Sequence, residues 1–387
     1  MRCLRPAALA LSLLLVAGAA HSFQLPDIYD VEGKKKKKKK KKPDEEPPTQ
    51  VLELPPEPPN AVVAETSRLA FHVAPLSSKG LLSQQVRDGL RAIARLTHGD
   101  PVVRLRAFVA GTGDLRRVQA IVSETFSERR TSLPVLSVIQ VGALPMEGAQ
   151  VALEAVSVEK RVVNAEGLAF VAGQQVASEE PTLEVAPLVE KSIAQLKTAV
   201  EGVGETPDEV RRVTCFVSSL ADHAKASAAV TQAFPEAASH FVQIQRVPTR
   251  SVAECEAVAG LSKAPGAPFR LVNPAGLAKS ESYSQVALVA APRIALTGTQ
   301  MAFNQQEDDA RLAFQRLEKS LEAVKTNLKN TVAASFYPLS QRSTELVRKV
   351  RFDYMDKANP PASTLLPFEG LPSLDASFGM DVIAIVP

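Results

Sequence analysis

Histidine and cysteine are both scarce in this chain of 387 residues, which has five of the first and three of the second. Neither forms a CxxC, HExxH or clustered pattern, so a metal centre is not expected, and nothing calls for a resident cofactor. A long apolar run is also lacking. The stretch from Leu9 to Ala17 is far shorter than the about 20 residues that a membrane span needs. The third deficit is net charge. Outside the first 60 residues the chain carries 34 basic and 34 acidic side chains. A neutral body without paired histidines argues against a ribonuclease and against nucleic acid as a partner.

What the first 60 residues do contain is distinctive. Arg2 and Arg5 precede the apolar stretch, and Ala17-Gly18-Ala19-Ala20 follows it with small residues. This order reads as a signal peptide over residues 1–22, cleaved on export to a periplasmic or extracellular location. Residues 23–60 hold nine consecutive lysines, Lys34 to Lys42, and then proline-rich segments. Like charges repel and proline interrupts helix and ladder alike, so this is read as a disordered linker. The lysine run is suited to an anionic envelope surface or, more simply, to a solvated spacer. Cleavage leaves Cys215 and Cys255, each within a strand-like run; buried thiols and a disulfide are both open.

The remaining body shows internal repetition. An early strand closes on a small residue at Leu69–Ala74, Leu168–Gly173 and Ile294–Gly298. A strand rich in apolar residues around one phenylalanine recurs at Leu105–Ala110, Val213–Ser218 and Ala333–Pro338. A Leu-Pro or Val-Pro step then precedes a strand with one acid, giving Leu144 with Glu154, Val247 with Glu256 and Leu371 with Asp381. Between the early and phenylalanine strands lie helical patterns. Val189, Ile193, Leu196 and Val200 form one apolar stripe, as do Ala310, Ala313, Phe314, Leu317, Leu321 and Val324, with Asp308 or Asp309 as N-cap. Val118, Ile121, Val122 and Phe126 mark a second helix after the phenylalanine strand. Each copy reads ββαβαββ, over residues 61–160, 161–264 and 265–387. Sheets with helices on one face would bury their other faces against one another, giving a monomer built as an internal pseudo-trimer.

Short motifs in the third copy resemble the Rid/YjgF family of reactive-intermediate deaminases, also called L-PSP endoribonucleases. Ser282-Tyr283-Ser284-Gln285 is similar to the family's Pro-Tyr-Ser-Gln, Leu296-Thr297-Gly298 to its Val-Ser-Gly, and Pro361-Ala362-Ser363-Thr364 to Pro-Ala-Arg-Ser-Thr without the arginine. The resemblance implies an α/β (α+β) chorismate-mutase-like fold, with ligand clefts between the units. It implies a small imine-like ligand held near Tyr283, Gly298, Ser363, Thr364, Gly173 and Ser239, with Glu154, Glu256 and Asp381 as candidate cleft acids. In this family an arginine clamps the substrate carboxylate, because a planar guanidinium binds it bidentately. The positions eight residues before the three Leu-Pro or Val-Pro steps are Leu136, Ser239 and Ser363, and Arg130 and Arg246 are out of register. The reading is therefore a ligand-binding protein with hydrolysis open and the clamp absent, or else a non-catalytic module tethered through its lysine run.

Overall fold

The computed structural model describes residues 55–111 and 113–387. The signal-peptide reading and the lysine run lie outside these residues. In chain order the first elements are β1 (Ala61–Glu65), β2 (Leu69–Val73), α1 (Leu82–Leu96), β3 (Val102–Ala110), α2 (Leu115–Glu128), β4 (Val135–Val141) and β5 (Val151–Val158). They are followed by β6 (Leu168–Ala177), α3 (Ala186–Glu201), β7 (Val210–Val217), α4 (His223–Ala233), β8 (Ala238–Gln243) and β9 (Val252–Gly260). The last are β10 (Phe269–Val272), β11 (Val286–Val289), β12 (Arg293–Thr297), β13 (Gln300–Phe303), α5 (Glu307–Glu322), β14 (Thr331–Pro338), α6 (Gln341–Val350), β15 (Ala362–Leu365) and β16 (Ala376–Val386). The architecture is mixed α+β.

The helices form where the sequence pattern puts them. In α3, Val189, Ile193, Leu196 and Val200 are all buried; in α5, Ala310, Ala313, Phe314, Leu317 and Leu321 are. Burial of each Val, Ile, Leu or Phe side chain among these contributes about 1.5–3 kcal/mol, and of each alanine less. Asp114 caps α2 by accepting hydrogen bonds from the backbone N–H groups of Arg116 and Arg117 at 3.0 and 3.4 Å. The expected cap of α5 is displaced. Gln306 is its N-cap, and Glu307, Asp308 and Asp309 fill the first turn, where acids complement the helix dipole. Val324 falls just beyond this helix.

Three sheets share one core order. An early strand lies beside the acid-bearing strand, then the phenylalanine strand, then a parallel edge strand: β2-β5-β3-β4, β6-β9-β7-β8 and β12-β16-β14-β15. Strand alternation divides each sheet into two faces. One face packs under its own helix pair, forming separate cores around Val86 and Leu105, around Val189 and Val213, and around Phe314 and Phe336. On the opposite faces, residues of all three sheets pack together. One shared cluster contains Phe108, Phe216 and Tyr337; another contains Val156, Val258 and Ile383.

The leading strands do not stay with the sheets of their own segments. β1 pairs with β12, and β11 pairs with β6, carrying β10 with it. The segments 61–160 and 265–387 are therefore interlaced with their neighbours rather than arranged as beads on a string. The connections explain this. Thr66–Arg68 forms a short 3-10 turn between β1 and β2, and Pro292 precedes β12. Proline favours an extended residue before it, so the chain runs on to another sheet instead of reversing as a hairpin. Thr66 also ties the two crossings together, its hydroxyl donating to the Ala291 carbonyl at 2.6 Å.

Candidate functional site

On the shared faces, strand register brings three acids to equivalent places. Arg106 stands opposite Glu154, Thr214 opposite Glu256, and Ser335 opposite Asp381. Two positions further along, on the same face, stand Phe108 opposite Ala152, Phe216 opposite Glu254, and Tyr337 opposite Gly379. The polar level lies between the shared aromatic and aliphatic clusters, so its charges must be paired within it.

The pairing is dense. Arg106 donates from Nε to Glu154 at 2.5 Å and from a terminal nitrogen to Glu256 at 2.7 Å. Arg212 reaches Glu256 at 3.0 Å and Glu154 at 3.5 Å. Arg104 donates to Asp381 at 2.5 Å, as do Ser137 at 2.6 Å and Tyr337 at 2.9 Å. His240 Nε2 lies 2.6 Å from Glu154, and Thr364 donates to Glu256 at 2.7 Å. Burial opposes ionisation of Glu154, but Arg106, Arg212 and His240 outweigh it and hold the carboxyl well below the usual range. Glu256 is likewise lowered, with Arg106 and Arg212 overcoming burial. The open space beside these side chains is about 40 Å³, room for a water or two and not for a metabolite. Glu154, Glu256, Asp381 and Thr364 thus form a buried ionic level, not the acids of an open cleft.

An open cleft exists at one edge of this level, where β6 meets β15. It has a volume of about 110 Å³ and is lined by Gly173, Glu254, Tyr283, Arg348, Arg351 and Ser363, with Gln175 at its mouth. Gly173 comes from the middle of β6, where the register against β9 shifts, Glu254 from β9 and Ser363 from β15, while Arg351 follows α6 in a 3-10 turn. Gln175 donates to Glu254 at 2.9 Å. Burial pushes the Glu254 carboxyl up to about 8, against the Gln175 hydrogen bond, so it is neutral at neutral pH. Arg351 is 4% exposed and takes part in no ion pair among the described residues. Its Nε has no hydrogen-bond partner, and its guanidinium sits over the rings of Phe352 and Phe336 at 4.6 and 5.8 Å. Burial and then Arg348 lower its pKa to about 10, which leaves it charged. The cleft therefore holds a desolvated cation beside a neutral acid, an arrangement suited to a small anion.

Four of the residues singled out in the sequence meet here or at its edge. Gly173, Tyr283 and Ser363 line the cleft, and Thr364 lies beside it in the ionic level. Gly298 lies elsewhere, at the junction of β12 with β4. A side chain there would meet the Leu136 carbonyl at 2.9 Å, and Thr299 N–H donates to that same oxygen at 3.2 Å. Ser239 is half-buried on β8, beside Val213 and outside this cleft. The position eight residues before the Leu-Pro step is Ser363, as the sequence has it, and the guanidinium groups that line the cleft, Arg348 and Arg351, enter instead from the helix side. Arg246 instead donates to the Ser218 carbonyl at 3.1 Å, and Arg130 lies in the first helical layer. Sequence reasoning missed Glu254 because Glu256, two residues on and on the same strand face, matches Glu154 in register. Glu254 is an acid where its register equivalents are Ala152 and Gly379, and that singularity was the available signal.

Cys215 and Cys255 face each other on β7 and β9 and form a disulfide. No group of potential metal ligands was found among the described residues.

No protein-family model matches the chain, and no curated protein matches it. Solved structures that part of the chain is similar to are Rid/YjgF family structures. The Rid family protein YyfB from Yersinia pestis is 16% identical, with 31% of this chain and 99% of that one covered and a TM-score of 0.28. The YjgF family protein NMB1025 from Neisseria meningitidis is 10% identical, with 31% and 95% covered and a TM-score of 0.22. TdcF from E. coli, solved with bound serine, is 16% identical, with 27% and 94% covered and a TM-score of 0.23.

Proposed function

We propose that this chain is a Rid-like protein of three tandem units, packed as the subunits of a trimer would be, that binds a small carboxylate-bearing metabolite between β6 and β15. The recurring strand order and the register-equivalent acids support the tandem reading. So does the ring of junctions, in which each parallel edge strand (β4, β8, β15) lies beside an early strand of another sheet (β12, β2, β6). The motif resemblance around Tyr283 and Ser363 points the same way.

The observation that carries the binding reading is Arg351. A buried guanidinium with no acidic partner among the described residues, facing an open cleft, is costly unless an anion completes it. A carboxylate would take it bidentately, and the neutral Glu254 adds no repulsion. The small volume restricts the ligand to a few heavy atoms, well below drug-sized sites of about 300–1,000 Å³. The cleft also suits hydrolysis of a 2-imino acid. Water would add to the imine carbon, the nitrogen would leave as ammonia, and a 2-oxo acid would remain. Thermal-shift titration with short 2-oxo acids should stabilise the wild type and not Arg351→Met. Equal stabilisation of both proteins, or of neither, would refute this reading.

Export is part of the proposal. A buried disulfide of this kind persists in oxidising compartments, which supports the reading of residues 1–22 as a cleaved signal. Association of Lys34–Lys42 with an anionic envelope surface is tested by deleting those residues and fractionating cells. A non-catalytic, tethered module remains the second reading, favoured if ligand binding occurs without imine turnover.

A further inference from the structure

The helical layer over β2-β5-β3-β4 contains a cavity of about 330 Å³, lying between the C-terminal ends of α1 and α2. Its wall is apolar, formed by Leu90, Ile93, Val102 and Phe126, with Arg129 and Arg130 also contributing. Asp100, in the loop that leads from α1 to β3, lines the cavity while being only 8% exposed. Its Oδ1 has no hydrogen-bond partner. The nearest cation is Lys160 Nζ at 3.6 Å, on a side chain that is 86% exposed and therefore screened by solvent.

The other two helical layers treat the matching corner differently. After α3 stands Glu205, whose carboxylate accepts the Ser262 N–H at 3.0 Å and its hydroxyl at 3.1 Å. After α5 stands Thr326, whose hydroxyl donates to the Ile385 carbonyl at 2.5 Å. In both, the polar group is tied to the acid-bearing strand or the residues just after it. Asp100 makes no such hydrogen bond: the matching residue after β5, Lys160, stays 3.6 Å away, and the carboxylate also lines the open space. Two helices, 15 and 14 residues long, also end at this cavity. Their terminal carbonyls add negative potential to that of Asp100.

We propose that this cavity is a second ligand site, for a small amine with an apolar body. The ammonium group sits against Asp100 Oδ1 and the helix-end carbonyls, displacing Lys160. The apolar body fills the space between Leu90, Ile93, Val102 and Phe126, and the volume falls within the range of small-molecule sites.

Isothermal titration of the intact protein with phenethylamine tests this. Saturable binding is expected, at least tenfold weaker in Asp100→Asn, lost in Leu90→Trp, which fills the cavity, and unchanged in Arg351→Met. Asp100→Asn conserves shape and keeps the test decisive if Leu90→Trp does not fold, folding being checked by thermal unfolding. Absence of saturable binding to the wild type would overturn the proposal, as would equal affinity in Asp100→Asn. Tighter binding of 3-phenylpropanoate would also overturn it, by assigning the cavity to Arg129 and Arg130.

Discussion

Gly173 lies so close to Glu254 that a Cβ added to the glycine would fall 1.9 Å from the carboxyl Oε1. The bare backbone at the irregularity within β6 is what gives this carboxyl its place in the cleft. Gly173→Ala should swing Glu254 out or spread β6 from β9. Its ligand affinity should fall at least tenfold, with a stability change of about 1–3 kcal/mol, as expected for local overpacking. Ligand titration together with urea unfolding checks both values.

The two kinds of buried glutamate predict opposite pH dependences. Glu154 and Glu256 have lowered pKa values in the fold. Their stabilisation is complete above the unfolded carboxylate value of about 4.3 and is lost as pH falls through their lower folded values. Glu254 is raised to about 8. Its proton must be given up as pH rises, so stability declines between about 4.3 and 8. Glu254→Gln should remove that decline, whereas Glu154→Gln should weaken the protein most at neutral pH and flatten its acid limb. Urea midpoints across the pH range distinguish them.

Arg106 bridges Glu154 and Glu256, which belong to different sheets. Arg106→Leu strands part of two buried negative charges and should cost about 3–5 kcal/mol. Arg117→Ala removes only a surface pair with Glu124 and should cost about 0–1 kcal/mol. Chemical denaturation of the two variants measures the contrast.

Much of this fold was legible in the sequence. The apolar stripes of α3 and α5, the three phenylalanine strands and the three early strands appear where periodicity put them. The crossing of β1 to β12 and of β11 to β6 was not legible, because alternation reveals which face of a strand is buried and not which strand it pairs with. The acids show the same limit. Glu154, Glu256 and Asp381 were visible as recurrent, yet recurrence marked the packed ionic level. The cleft depends on Glu254 and Arg351, which occur once and converge from segments about 100 residues apart.

The disulfide closes a loop with a sequence separation of 40 between β7 and β9. By the loop-entropy relation its loss should cost about 4 kcal/mol. Thermal unfolding with and without a reductant able to reach the buried bond, repeated on a Cys215→Ala/Cys255→Ala variant, measures that cost.

Isothermal titration with pyruvate, a minimal 2-oxo carboxylate, tests the central claim most directly. The account predicts saturable binding at pH 7, at least tenfold weaker in Arg351→Met, and weaker again in the wild type at pH 9, where Glu254 has ionised. Pyruvate affinity that is the same in Arg351→Met and at both pH values, or the absence of any saturable binding, would contradict it.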